Sequence, residues 1–280
     1  MKNLINGLYI VATPIGNLND LSNRAKEVLN MVDIIICENP IHSLKLLNNL
    51  GIKKKMLALH DYNEKKLIKN IEKYQYNSSI ALISDAGSPL ISDPGYNLVL
   101  DYIKKDIMIT SIPGPSSVIA ALQLSGFQIN NFTFYGFVPK TNSSINSLIK
   151  KIHKLESTSV FFISGLRLRS FLENLIKNKM YRQITVCKEI TKINENIFRG
   201  TAQNIVDKLS MSAKNIKGEF VVVIQGDDKK PSKTIGGSTK TQIKKLLEKF
   251  SLTDVVEIVH KLSSISKKEI YKIALLIKND

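Results

Sequence analysis

Apolar and polar positions fall into short blocks along the first third of the chain, and the blocks switch between two periods. Gly7-Leu-Tyr-Ile-Val-Ala12 is a continuous apolar run, the pattern of a strand buried on both faces. The polar loop Thr13–Asp20 follows, and then Leu21–Met31, where Leu21, Ala25, Val28 and Leu29 recur at helical spacing. Val32–Cys37 predicts a second strand and Ser43–Leu50 a helix ended by Gly51. Met56–Leu59 predicts a short strand, and Glu64–Tyr74 a lysine-rich helix. Ile80–Ser84, Tyr96–Lys104 and Ile107–Ile112 continue as strand, helix and strand. This rhythm predicts a parallel sheet with helices on both faces.

After Pro113 the pattern changes. Ser116–Ser125 reads as a small-residue helix closed by Gly126. Phe132–Val138, Ser159–Ile163, Gln183–Lys188 and Glu219–Gln225 read as strands, separated by helices at Ile145–Leu155, Leu168–Asn178 and Ala202–Ser210. A second α/β domain with a mixed sheet is expected. The polar stretch 227–239, with its Gly and Pro, reads as a linker. Thr241–Phe250, Thr253–Leu262 and Lys267–Lys278 then predict three amphipathic helices, a bundle too small to be more than marginal alone. The expected organisation is therefore an α/β domain over 1–115, a second over 116–226, and a linker with a helical module over 227–280.

Bulk properties bound the class. The 280 residues suit two domains with a small appendage, and 43% hydrophobic residues can bury substantial cores. No apolar run approaches the roughly 18 residues of a membrane span, and the first residues show no secretory pattern. Cys37 and Cys187 close apolar runs without metal-type spacing, so they read as buried thiols and the expected compartment is the cytoplasm. The net charge of +16 suits a polyanionic partner. However, 35 Lys stand against 5 Arg, beside 38 Ile and 24 Asn, and all three abundant residues have A/T-rich codons. The five arginines are therefore more informative than the lysines.

Three loops gather Gly, Pro, Ser and Asp: Thr13-Pro-Ile-Gly-Asn-Leu18, the Asp85–Gly95 segment, and Pro113-Gly-Pro-Ser-Ser117. Each follows a predicted strand, and ligands of open α/β sheets bind just outside the carboxyl ends of strands. Ser116 and Ser117 open a helix whose N–H groups suit a carboxylate or ribose hydroxyl. Any one such loop has an ordinary explanation as a turn or cap. Three in one half of the chain point to a shared cleft holding the carboxylates of Asp85 and Asp93. Bulk at Gly87 is expected to fill ligand space there while leaving the fold intact. The chain has no GxGxxG after its first strand, no P-loop, no zinc spacing among its four histidines and no GxSxG elbow. No metal site is expected. The cleft suits a ligand whose own chemistry is already activated.

Leu8-Tyr-Ile-Val-Ala-Thr-Pro-Ile-Gly-Asn-Leu18, Ser84-Asp-Ala-Gly-Ser-Pro-Leu-Ile-Ser-Asp-Pro-Gly95 and Ile112-Pro-Gly-Pro-Ser116 closely resemble the tetrapyrrole-methylase superfamily. Within it they resemble the small-subunit ribosomal RNA 2′-O-methyltransferase I family. Tyr135-Gly-Phe-Val-Pro-Lys140, Glu189-Ile-Thr-Lys192, Arg199-Gly200, Lys217-Gly-Glu-Phe-Val221 and Ser266-Lys-Lys-Glu-Ile-Tyr-Lys-Ile-Ala274 extend the resemblance over nearly the whole chain. It implies two α/β domains with the ligand cleft between them, a C-terminal helical module, and a homodimer without metal or membrane. The implied reaction is transfer of a methyl group from S-adenosylmethionine to the 2′-hydroxyl of a cytidine in 16S (small-subunit) rRNA, free or within the 30S particle. The implied cofactor residues are Pro14, Asp85, Ala86, Gly87, Ser88, Pro89, Ser116, Ser117, Phe162 and Ile163. Such chemistry asks the protein to align the reacting groups and stabilise a developing alkoxide. Asp93, Glu38, Lys192 and Glu195 are the candidates for handling the proton, and each also reads as a capping or paired charge. Arg24, Arg167 and Arg199 fall where the family also has arginine and are expected to engage RNA phosphates or fix an ion pair.

Three departures stand out. The family's Glu-Asp-Thr-Arg reads Glu38-Asn-Pro-Ile41, its Glu-Ser-Pro-His-Arg reads Ile163-Ser-Gly-Leu-Arg167, and its Leu-His-Glu reads Ile193-Asn-Glu195. They bear on RNA docking and catalysis more than on cofactor binding, because the glycine loops survive. Two alternatives follow: a ribosome-assembly or RNA-binding protein that has lost catalysis, and a methylase of a tetrapyrrole or other small molecule. The charge and the helical tail weigh against the second.

Overall fold

In the computed structural model, which describes residues 4–211, 217–227, 237–262 and 266–279, the apolar runs of the first half become five parallel strands. These are β1 (Gly7–Val11), β2 (Ile34–Cys37), β3 (Lys55–Ala58), β4 (Ser79–Ile83) and β5 (Ile109–Ile112), in the order β3-β2-β4-β1-β5. The helices between them are α1 (Asn23–Met31), α2 (Pro40–Asn49), α3 (Glu64–Gln75) and α4 (Tyr96–Lys104). Alternate strand residues serve opposite faces, as the two-residue repeat of a strand requires. Tyr9, Val11, Ile35, Cys37, Ala81 and Ile83 pack with Ala25, Val28 and Leu29 of α1 and Leu47 of α2. Leu8, Ile34, Ile36, Ile80 and Leu82 pack with Leu67 and Ile71 of α3 and Leu98 and Tyr102 of α4. In register, Val11 lies opposite both Ile83 and Ile112, so the adjacent strands β4, β1 and β5 end level. The three polar loops therefore leave the sheet side by side.

The second sheet is mixed. Its strands are β6 (Phe132–Phe137), β7 (Thr158–Ser164), β8 (Ile184–Lys188), β9 (Asn196–Gly200) and β10 (Glu219–Ile224), in the order β6-β7-β10-β8-β9. Only the β6–β7 pair is parallel. Helix α5 (Ser117–Ser125) lies on one face, where Val118, Ala121 and Leu122 meet Val160, Val221 and Val223. The opposite face carries α6 (Asn142–Ile152), α7 (Gly165–Lys177) and α8 (Ala202–Met211), packed on Phe161, Ile163, Phe220, Val222 and Ile224. Phe161 is fully buried, stacked on Tyr135 at 5.0 Å and tilted against Phe171 at 5.9 Å. Removing such a ring typically costs about 3–5 kcal/mol.

The structure corrects several boundaries. Helix α2 begins at Pro40, three residues before the expected Ser43, because Asn39 caps it: its side chain accepts from the N–H groups of Ile41 and His42 at 3.1 and 3.3 Å. Thus Asn39 and Pro40, a departure from the family pattern, start a helix. Helices α6 and α7 also begin three residues early. Leu18–Asp20, expected as loop, is a 3₁₀ turn capped by Asn17. Strand β9 was not expected at all.

The chain divides into two compact units, 1–226 and 227–280. In the second unit, α9 (Gly237–Leu247), α10 (Leu252–Leu262) and α11 (Lys267–Asn279) enclose Ile243, Val255, Val259, Ile270 and Ala274. Ser251 accepts from the N–H of Asp254 at 3.2 Å and caps α10. Residues 228–236 of the expected linker lie outside the described residues, and 237–239 belong to α9. Among the described residues, no helix is long and apolar enough to cross a membrane.

Candidate functional site

Hydrogen bonds stitch the three strand-end loops together. Thr13 and Gly87 exchange backbone bonds, N–H to O, at 2.9 and 3.0 Å. The Thr13 hydroxyl donates to the Ser84 carbonyl at 3.1 Å, and the Ser84 hydroxyl to the Gly87 carbonyl at 3.0 Å. From the other side, the Ser88 hydroxyl donates to the Pro115 carbonyl at 3.2 Å. Gly87 holds φ +83°, and a Cβ there would sit 3.1 Å from Cγ2 of Ile15. A side chain at Gly87 would therefore strain the backbone and crowd Ile15, as well as enter the cleft. Leu90 and Ser92 also adopt positive φ, 73° and 72°, in the same loop. Strain of this kind persists where surrounding contacts over-determine it.

These loops and the mixed sheet enclose a cleft of about 420 Å³, within the roughly 300–1,000 Å³ usual for small-molecule sites. Of the expected cofactor residues, Asp85, Ala86, Gly87, Ser88, Ser116, Ser117, Phe162 and Ile163 line it. Pro14 lines a neighbouring cavity, and Pro89 is buried without lining either. The apolar floor comes from Ile15, Ile190 and Val221, and Phe137 forms an exposed lip with its ring 5.5 Å from that of Phe162. Sequence reasoning missed these residues. It also missed Glu189 and Glu219, although both lie inside motifs it singled out. Oδ1 of Asp85 is buried at the cleft with no hydrogen-bond partner. A lone buried acceptor costs about 1–3 kcal/mol or more until a donor meets it.

The charged candidates separate into two groups. Asp93 lines the cleft, and its pKa is pushed up to about 6 by burial and then by the charge of Glu38, against a hydrogen bond from Ser84. Glu38, at the carboxyl end of β2, is raised by partial burial and by the charges of Asp85 and Asp61. It does not line the cleft. Lys192 does, with Nζ 2.8 Å from Glu219 and 3.3 Å from Glu189. Burial works against its charge, but the two carboxylates win and hold its pKa above the ordinary lysine value. Glu195 turns away and accepts from the Thr191 N–H at 2.6 Å, closing the turn in which Thr191 holds φ 65°.

Two of the three expected RNA arginines serve the backbone. Arg167 donates from Nη1 to the Val138 carbonyl at 2.9 Å and from Nη2 to that of Pro139. Arg199 donates from Nε and Nη2 to the Leu124 carbonyl, at 3.2 and 2.5 Å. Arg24 is exposed on α1. Among the described residues, no group of three His, Cys, Asp or Glu side chains is arranged to hold a metal ion.

Residues 7–206 match the tetrapyrrole (corrin/porphyrin) methylases. The chain belongs to this family. It is 36% identical over 277 residues to ribosomal RNA small subunit methyltransferase I of Pasteurella multocida, covering 98% of this chain and 99% of that protein. The same enzyme of Haemophilus influenzae is 36% identical over 280 residues, with 98% of each chain covered. The methylase thus belongs to the ribosomal RNA small subunit methyltransferase I branch. Among solved structures, a diphthine synthase is similar with a TM-score of 0.60 at 16% identity, covering 78% of this chain and 89% of that one. That likeness speaks for the methylase fold alone.

Proposed function

We propose that this methyltransferase uses S-adenosylmethionine to methylate the 2′-hydroxyl of a cytidine in small-subunit ribosomal RNA. The observation that carries the reading is the cleft at the level ends of β4, β1 and β5, whose lining includes both a buried, unpartnered Asp85 Oδ1 and a paired cation, Lys192. The near full-length similarity to enzymes named for small-subunit rRNA supports the choice of substrate. The cleft fits the cofactor: the Asp85 acceptor suits its amine and hydroxyl donors, and the apolar floor suits its ring and chain. When bound, S-adenosylmethionine supplies a methyl group already activated on a sulfonium.

The protein's own residues then have limited tasks. Ala86, Gly87, Ser88, Ser116, Ser117, Phe162 and Ile163 hold and orient the cofactor, and the strained loop keeps that wall rigid. Asp93 accepts the proton of the attacking hydroxyl, a role suited to a carboxyl whose pKa lies near the working pH. Lys192, kept charged by Glu189 and Glu219, stabilises negative charge developing on the oxygen. The working form in this proposal is a cytoplasmic homodimer. The degenerate, non-catalytic alternative loses ground because the altered 39–41 loop starts a helix and leaves the cleft residues in place.

The test is incubation of small subunits lacking the modification with methyl-labelled cofactor, followed by mapping of the product. Label on a ribose oxygen is expected. Label on a base atom, or no binding of the cofactor, rejects the reading.

A further inference from the structure

A second cavity, of about 490 Å³, adjoins the cleft. The two share Ile15, Asp85, Ala86, Lys192 and Glu219, so these residues form a common wall. The linings differ in kind. The cleft is walled largely by apolar groups and serines, whereas the second cavity opens along α2 and takes His42, Lys45 and Asn49 from that helix. His42 and Lys45 bring basic side chains to the α2 side, while on the shared wall Lys192 is paired with Glu219 and Asp85 adds a second carboxylate. Pro14, Leu18 and Leu46 supply apolar surface in the same space. Two compartments joined by one wall are what a transfer between two bound partners needs. Basic groups on the α2 side, with apolar surface in the same space and carboxylates only on the far, shared wall, fit a nucleotide with one phosphate better than a polyacid.

We propose that this second cavity is the acceptor compartment, taking a single ribonucleotide extruded from the RNA, with its phosphate held by His42 and Lys45 and its sugar at the shared Asp85–Ala86 wall, the 2′-hydroxyl facing the cleft that Asp93 lines. The inference rests on the rRNA reading above and adds the place and residues of recognition. The space suits one nucleotide better than a base still paired and stacked in a helix, so in this proposal the target nucleotide leaves the stack to enter. His42 and Lys45 are both exposed on α2, so changing them leaves the packed core untouched.

The experiment compares the full-length wild-type protein with the double variant His42→Ala, Lys45→Glu. Methyl transfer to small subunits lacking the modification is measured over a range of salt concentrations. Binding of S-adenosylmethionine is measured separately by calorimetry. The expected result is an unchanged cofactor affinity, a KM for subunits raised about tenfold or more, and a log–log salt slope of KM shallower by roughly 1 or more for the lost phosphate contacts. A fall in kcat alone, with KM and the salt slope unchanged, overturns the proposal. Kinetics equal to wild type, with the wild type active, overturn it and leave the rRNA reading standing. Equal weakening of cofactor and subunit binding also overturns it, because the cavity would then belong to the cofactor seat. An inactive wild type rejects the rRNA reading itself and the compartment with it.

Discussion

The wall built after β4 and the wall built after β8 both present charged groups to the cleft, and they treat charge in opposite ways. After β4, Asp93 is partly buried and stands among like charges from Glu38 and Asp85, so burial first and repulsion second raise it. A proton is therefore held more tightly on Asp93 than on an ordinary carboxyl. After β8, Glu189 and Lys192 meet Glu219 from the start of the neighbouring β10, and Lys192 pairs with both carboxylates. Glu189 is correspondingly lowered: burial opposes its charge, but bonds from the Glu219 N–H and Lys192 prevail. One wall is a frustrated site that titrates near neutrality, and the other is a fixed charge. An enzyme moving a proton while stabilising an anion has a use for each.

The largest expected effect comes from Asp93→Asn. Loss of a general base lowers kcat about 10²–10⁴-fold, and it should also abolish an inflection in the wild-type pH–rate profile, where the rate rises through pH about 6 and then levels. A profile unchanged in shape would move the proton-accepting role elsewhere. The same variant sharpens the contrast through stability. Because the folded-state pKa is raised from 3.8 to about 6, this group's contribution is most favourable below pH 3.8 and is lost as the pH rises through about 6. Asp93→Asn should therefore stabilise the protein above pH 6, by about 1 kcal/mol after solvent screening, as read by thermal melts.

Lys192→Met tests the other wall. A preorganised donor to a developing oxyanion contributes about 10²–10³-fold to kcat, and here the loss should be the same at every pH between 6 and 9. A pH-dependent loss would mean that the two walls are not separate. Gly87→Val is expected to abolish cofactor binding by calorimetry and to lower stability by about 1–2 kcal/mol, the cost of a side chain at positive φ. The smallest effect belongs to Arg167→Lys. It should cost about 1 kcal/mol from loss of a two-pronged hydrogen bond, with RNA affinity and its salt dependence unchanged. A weakened salt slope would return Arg167 to the phosphate contacts.

The sequence made some parts of this arrangement plain. Helix α4 matches its expected limits because Gly95 breaks the chain before it and the apolar spacing is regular. The strand-end loops were legible because Gly, Pro, Ser and Asp have few other reasons to cluster after three buried runs. Strand β9 was not, since Asn196-Ile-Phe-Arg-Gly200 is an edge strand with Ile197, Phe198 and Gly200 half-buried and no residue fully buried. The pairing of Lys192 with Glu219 joins residues 27 apart and depends on β8 and β10 being neighbours. The partners of Arg167 and Arg199 are carbonyl oxygens, which every residue carries, so no spacing in the chain announces them.

Those arginines have a consequence for how the surface works. Three of the five, Arg167, Arg182 and Arg199, donate to main-chain carbonyls, and Arg169 pairs with Glu173 within its own helix. The outer positive field is thus made almost wholly of lysine, a mobile point charge that senses how much phosphate is nearby and little of its arrangement. A coat of this kind attracts polyanions with little regard to their sequence. Under the proposed function, discrimination is then left to what can pass the exposed Phe137 at the mouth of the cleft, a sorting of targets by admission and not by grip.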